Sequence, residues 1–329
     1  MDQITSPHDK FFKQVFTRGD TAKEFLLNYL PPALVKLIDW DSLEYTKDSF
    51  IDEDLKEFFS DLLFRAQLKD GTRGYVYILF EHKSYHEPLT AFHILRYMVK
   101  IWEMLLRKRE GFALPVIIPL VLYHGEKSWK SGLNFRDLFD CSDDMVSFIP
   151  DFEYLFWSAA GYSDEEIKGN ATLRVALLLM KYIFREDLRN RLPGILGLLK
   201  DLSEKRTGME YIEAILRYIF NAAPVDNVSY QDIKAAVDKA LPHIGGEIMP
   251  TIADSFVEQG IQQGIQQGKR EGVLEAIELG LTIKFGTKGL RLLPAIQGLK
   301  DARQLETVKE AIKAADELTE IDELLKGIV

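Results

Sequence analysis

The sequence predicts an α/β fold: a mixed sheet flanked by helices, followed by an all-helical C-terminal region. Three observations predict it. Residues 61–83 read as two strands around a turn signal, DLLFRAQL, KDGTRG and YVYILFEHK. A helical apolar stripe over 88–109 and a buried-strand run over 113–125 come next. Beyond about residue 160 the apolar residues keep helical spacing almost to the end.

Taken in order, SPHD at 6–9 is a helix start. Ser6 suits the cap, Pro7 the first helical position, and Asp9 the capping-box acid. Phe11, Phe12, Val15 and Phe16, then Phe25, Leu26, Tyr29 and Leu30, continue at helical spacing until Pro31 and Pro32 end it. A short strand is expected near 43–50. In DLLFRAQL, residues Leu62, Phe64, Ala66 and Leu68 share a face, and YVYILFEHK is β-branched and aromatic. The Asp-Gly pair between them marks a hairpin. Over 88–109, residues Leu89, Phe92, Leu95, Trp102, Leu105 and Leu106 form one broad helical stripe. ALPVIIPLVLYHG reads as a buried strand that Pro115 and Pro119 weaken. FEYLFWSA adds a candidate strand over 152–159. Helical periodicity then covers 171–185, 194–202, 209–221, 231–241, 251–282 and 303–328. The expected division is a sheet domain over 1–160, a helical domain over 161–245 and a helical C-terminal segment over 246–329.

That last segment opens on EQGIQQGIQQGKREG, a four-residue repeat with Gly260, Gly264, Gly268 and Gly272 in line. Each glycine inside a helix costs about 1 kcal/mol against alanine. Close helix contact, within the chain or between copies, is one explanation for the row, and a semi-flexible linker is the other.

Composition narrows the classes. The 329 residues carry a net charge of −10, which argues against coating nucleic acid non-specifically. The first 125 residues hold 16 basic and 18 acidic side chains, so the acidic excess lies mostly downstream. Arg96, Lys100, Arg107, Lys108 and Arg109 form a basic cluster that could follow phosphates or simply face water. Cys141 is the single cysteine, so no internal disulfide forms and a reducing compartment is expected. MDQITSPHDKFF has no basic-then-apolar leader pattern, and VALLLM, the longest apolar run, is too short to span a membrane. A cytoplasmic protein is expected.

The chemistry concentrates at FEHKS, 80–84, where a buried-type strand runs into three ionisable residues. A hairpin turn within KDGTRG makes facing residues sum to about 142–144, so Asp61 meets Glu81 directly or diagonally. Strand alternation puts Lys83 on Glu81's face and the His82 side chain on the other. Two converging carboxylates repel unless a cation lies between them, and a hard divalent ion with oxygen ligands suits the pair. A neighbouring lysine can orient water or stabilise charge developing on a phosphate. A cross-strand salt bridge at a sheet edge explains the same residues without chemistry.

Asp at the start of one strand and Glu-x-Lys at the end of the next resemble the PD-(D/E)xK nuclease fold. More specifically, SPHDKFFKQVF, SFIDEDLKEFFSDLLFR, FEHKS, HILRYMVKIWE, IIPLVLYHG and the glycine–glutamine repeat resemble a family of recombination-promoting nucleases and transposase-like proteins. The resemblance implies a metal-dependent DNA endonuclease acting in recombination or in defence against mobile DNA. It implies Asp61 and Glu81 as ligands of Mg2+ (Mn2+ or Ca2+ in its place), the His82 backbone carbonyl as a further ligand, and Lys83 as the catalytic lysine. Ser60 stands where the superfamily name has proline, a position that supplies no ligand. Glu24 and Gln67 are additional site candidates, and Arg96 and Lys100 candidates for the DNA backbone. Expected partners are DNA, further copies of the chain through the C-terminal helices, and a short product starting inside the gene at Met249. A nuclease-like protein that binds DNA or assembles partners without cutting is the alternative, and RNA remains open as a substrate.

Overall fold

The computed structural model describes residues 7–46, 62–69, 75–107, 114–202, 206–224, 226–243, 245–299 and 302–328. Two compact units are present, Met1–Met249 and Pro250–Val329. Residues 161–249, separated from the sheet in the sequence reading, belong to the same unit as the sheet.

Three helices, α1 (Pro7–Phe16), α2 (Gly19–Tyr29) and α3 (Pro32–Leu37), lead into strand β1 (Ile38–Tyr45). This strand starts five residues before the expected one, directly at the end of α3. Strands β2 (Leu62–Leu68) and β3 (Tyr75–Lys83) follow, then helix α4 (Thr90–Arg107) and strands β4 (Ile117–Tyr123) and β5 (Leu155–Ser158). The five strands lie in sequence order, β1-β2-β3-β4-β5. The first two pairings are antiparallel and the last two parallel. Parallel neighbours need a crossover, and α4 supplies it between β3 and β4. The outcome is a mixed α/β sheet carrying helices.

The pleat sorts side chains between two covers. On one side α4 lays Ala91, Ile94, Met98, Ile101 and Leu105, an i, i+3, i+7 stripe, against Leu63, Ile117 and Val121. On the other side the Phe80 ring lies 5.0 Å from each of Phe12, Phe16 and Phe25, at separations typical of favourable aromatic pairs. Proline inside β4 has a local explanation. Pro119 stands opposite Leu79 of β3, whereas the pairing with β5 begins at Leu120, so at that level β4 has a single neighbour among the described strands.

Helices α5 (Ala171–Tyr182), α6 (Leu188–Gly197), α7 (Arg206–Ala222) and α8 (Tyr230–Ala240) continue the first unit. Phe11 of α1 stacks on Tyr218 of α7 at 4.0 Å, while Phe12 faces the sheet, so α1 is packed on both sides. Asn170 caps α5 by accepting from the Leu173 amide. Gly169 just before it has φ +124°, a conformation that disfavours any side chain. The Asn170 amide donates to Glu24 Oε1 at 2.6 Å, which ties α2 to the start of α5.

Helix α9 (Gly245–Gly289), which enters the second unit at Pro250, leaves helical geometry at Gly286 (φ +60°) and is followed by α10 (Leu293–Gln297), α11 (Ala302–Ala314) and α12 (Leu318–Ile328). The stripe over 303–328 is thus two helices, broken at 315–317. Ile277, Leu281, Ile296, Val308, Ile312, Ile321 and Leu325 form a separate core. Lys284 Nζ donates to the carbonyls of Lys313 and Ala315, both at 2.7 Å, and so satisfies the C-terminal end of α11. A Cβ placed on Gly264, Gly268 or Gly272 would meet no atom within 4 Å, so the described part of the glycine row is not packed within this unit.

Behind the sheet, His8, His82 and His124 lie in ring contact, His8 to His124 at 5.1 Å and His82 to His124 at 4.8 Å. Burial lowers His8 to about 4, helped by the charge of His82. Burial likewise holds His124 well below its ordinary value, with His82 and His8 adding to the effect. The unfolded chain therefore binds protons that the folded one refuses, and stability present above pH 6.5 is lost as pH falls towards 4. Thermal unfolding should show the melting temperature dropping over that interval, with a smaller drop in His8→Gln.

Candidate active site at the end of strand β3

The register between β2 and β3 pairs Leu62 with Phe80 and Leu63 with Leu79, a constant sum of 142. That is the sum that sets Asp61 against Glu81 in the sequence reading, and Asp61 itself lies outside the described residues. Phe80 and His82 face the aromatic cover formed by α1 and α2. Glu81 and Lys83 therefore point to the α4 side, as alternation requires.

Glu81 is 1% exposed. Its Oε1 has the Lys83 ammonium at 2.9 Å, while Oε2 has no hydrogen-bond partner among the described residues. A buried carboxylate with so little compensation is costly. Lys83 also reaches Glu87 Oε2 at 2.7 Å. Burial alone would lower the Lys83 ammonium, but the attraction of Glu81 and the close approach of both carboxylates outweigh it and hold the lysine protonated.

Glu87 follows β3 on the turn into α4. Its carbonyl accepts from the Thr90 amide at 3.2 Å and the Thr90 hydroxyl at 2.8 Å, which fixes the turn. Its Oε1 lies 2.8 Å from His93 Nδ1, one turn into α4. Glu87 and His93 were not singled out from the sequence. The signals were the four-residue Lys83–Glu87 spacing and the three-residue step from Thr90 to His93 along α4, neither specific without the turn geometry.

At the end of β4, the His124 amide donates to the Lys83 carbonyl at 3.1 Å. Gly125 follows, where a Cβ would approach the Ser84 carbonyl to 2.6 Å, so glycine is required for this close passage. The His82 side chain sits on the far face, 3.2 Å from Asp9 Oδ1 and stacked on Phe12.

The remaining candidates fall elsewhere. Glu24 is occupied by the Asn170 amide at the start of α5. Gln67 pairs with Tyr75 at the other end of the ladder, six residues and about 20 Å of strand from Glu81. Arg96 and Lys100 are exposed on α4, three and seven residues beyond His93, hence on the helix stripe that leads away from the site. Lys100 has Glu103 at 3.4 Å, an exposed pair of little energetic weight.

Among the described residues, no three His, Cys, Asp or Glu side chains converge to hold a metal ion. The Glu81 carboxylate, buried and with Oε2 lacking a hydrogen-bond donor among the described residues, is nevertheless the kind of oxygen ligand a divalent cation takes. Nor is any helix, among the described residues, long and apolar enough to cross a membrane.

No solved structure matches the chain. A family model described as "Putative transposase, YhgA-like" matches residues 6–210. The recombination-promoting nuclease RpnA of Escherichia coli K12 is 29% identical over 260 residues, 78% of this chain and 86% of the relative. RpnC of the same organism, also named a recombination-promoting nuclease, is 30% identical over 257 residues, 78% and 82% of the two chains. RpnE, from the same strain and named an inactive recombination-promoting nuclease-like protein, is 32% identical over 197 residues, 59% and 64%. With more than half of its length matched by the family model and most of it aligned to such relatives, the chain belongs to the YhgA-like family of recombination-promoting nucleases.

Proposed function

We propose that the chain is a divalent-metal-dependent DNA endonuclease built on a PD-(D/E)xK core. The observation that carries this is the buried Glu81 carboxylate, with Oε2 lacking a hydrogen-bond donor among the described residues and Oε1 beside the Lys83 ammonium, at the end of a central strand. The order of helix, three antiparallel strands, crossover helix and parallel strand supports the same core. Relatives named nucleases support the activity.

In this reading Asp61, Glu81 and the His82 carbonyl hold Mg2+, for which Mn2+ or Ca2+ can stand in. The ion, when bound, neutralises phosphate charge and makes coordinated water more acidic. The chain's own residues do the rest. Lys83 orients the attacking water and stabilises negative charge gathering on the phosphate oxygens. The water oxygen bonds to phosphorus as the bridging ester bond breaks, and a proton ends on the departing oxygen. Arg96 and Lys100 follow the DNA backbone along α4. Such an activity serves recombination or defence against mobile DNA in the cytoplasm.

The competing reading, a nuclease-like protein that binds DNA without cutting it, draws on the relatives named inactive. Plasmid nicking with Mg2+, Mn2+ or Ca2+ separates the two. Asp61→Ala and Lys83→Ala should each lose about 10²–10³-fold in cleavage rate, the scale of removing one group that stabilises transition-state charge. Equal cleavage by wild type and both variants would overturn the assignment, and faster cleavage of RNA than of DNA would change the substrate. For Arg96→Ala and Lys100→Ala, DNA affinity should fall similarly on all sequences, and the salt slope should drop by about 1 for each phosphate no longer neutralised.

The C-terminal helices serve self-association in this proposal, and Met249, adjoining the second compact unit, is the start of a short internal product. That unit's separate core supports independent folding. A purified 249–329 segment should be helical, unfold cooperatively and bind the full chain in analytical ultracentrifugation. A segment that stays monomeric and unbound would refute it.

A further inference from the structure

The Lys83 ammonium has two carboxylate partners, and only one of them belongs to the Asp61–Glu81 pair. Lys83 Nζ lies 2.9 Å from Glu81 Oε1 and 2.7 Å from Glu87 Oε2. The side chains of Lys83 and Glu87 are 12% and 19% exposed, so both contacts are largely shielded from water. A lysine stem has about 2 kcal/mol of rotamer entropy to lose and no fixed donor geometry, so an ammonium stays in one place only if something holds it.

Glu81 cannot be the permanent holder. A divalent cation on its oxygens would withdraw the negative charge that attracts Lys83 and would itself repel the ammonium. Glu87 is placed differently. It stands past the end of β3, its backbone is fixed by Thr90, and its second oxygen is engaged by His93 Nδ1 at 2.8 Å. Its position therefore does not depend on what Glu81 binds.

We propose that Glu87, held by His93, is the positioning residue for Lys83, keeping the ammonium at the reaction site when Glu81 turns to a metal ion. This rests on the nuclease reading for its purpose, but the clamp is a property of the protein alone. Glu87 touches neither substrate nor ion; it acts through Lys83.

Two measurements test it. The first follows amine acylation at Lys83 by mass spectrometry, with exposed Lys100 as internal reference. In the wild type, labelling should be slow and should stay slow when Mn2+ is added. In Glu87→Gln it should rise several-fold and rise again with Mn2+. Unchanged labelling in Glu87→Gln, or equal release of Lys83 by Mn2+ in both proteins, would overturn the proposal. The second is a cleavage cycle. Glu87→Gln should lower kcat about 10–100-fold, the scale of displacing a reacting group by about 1 Å, with DNA affinity unchanged and the variant still folded at the assay temperature. Glu87→Asp should recover part of the loss, and Glu87→Gln should cost nothing further in a Lys83→Ala background. Full activity in Glu87→Gln would sink the clamp while leaving the nuclease intact. A wild type that never cuts, with the labelling pattern as expected, would sink the nuclease and leave the clamp.

Discussion

The charge of Glu81 is the constraint around which the sheet's end is arranged. A carboxylate buried to 1% exposure, with Oε2 lacking a hydrogen-bond donor among the described residues, is costly for a fold to keep. Its countercharge is Lys83, two residues on, and Lys83 needs Glu87 as well. Each further link follows. Glu87 is where it is because Thr90 closes the turn into α4, and α4 is where it is because Ala91, Ile94 and Met98 are packed against the sheet. The apolar stripe that holds the crossover helix thus also sets the electrostatics of the strand end.

The same pleat builds the other face from different chemistry. Phe80 and His82 alternate with Glu81 and Lys83, and their face is closed by Phe12, Phe16 and Phe25. His82, His124 and His8 continue that cover as a cluster of rings, and burial keeps His8 and His124 from protonating. In this setting those two histidines behave as aromatic core residues with a polar edge. One strand therefore anchors the fold on one side and presents ionic groups on the other.

Much of this was legible because period-2 alternation and turn chemistry are local. A pairing sum of about 142–144, which the structure narrows to 142, the separation of His82 from Glu81 and Lys83, and the helix after β3 all follow from residue order alone. What was not legible depends on contacts distant in sequence or on loop paths. Glu24 looked like an acid on a helix near the site, but its partner is an amide 146 residues away. The start of β1 was missed because α3 ends directly at Ile38, with no turn residue between them. Glu87 and His93 carried no pattern of their own; only the turn that Thr90 fixes brings Glu87 onto Lys83 and His93 onto Glu87.

The protonation state of Lys83 bears on what it can do. Held charged by two carboxylates, it has no lone pair to accept a proton from water. Were Glu81 its only partner, binding a cation there would lower the lysine's pKa and free the amine to act as a base. Glu87 opposes that shift, since its negative charge stays beside Nζ and is not shared with the Glu81 site. In the proposed nuclease Lys83 therefore serves as an electrostatic and orienting group, with the water's proton leaving by another route.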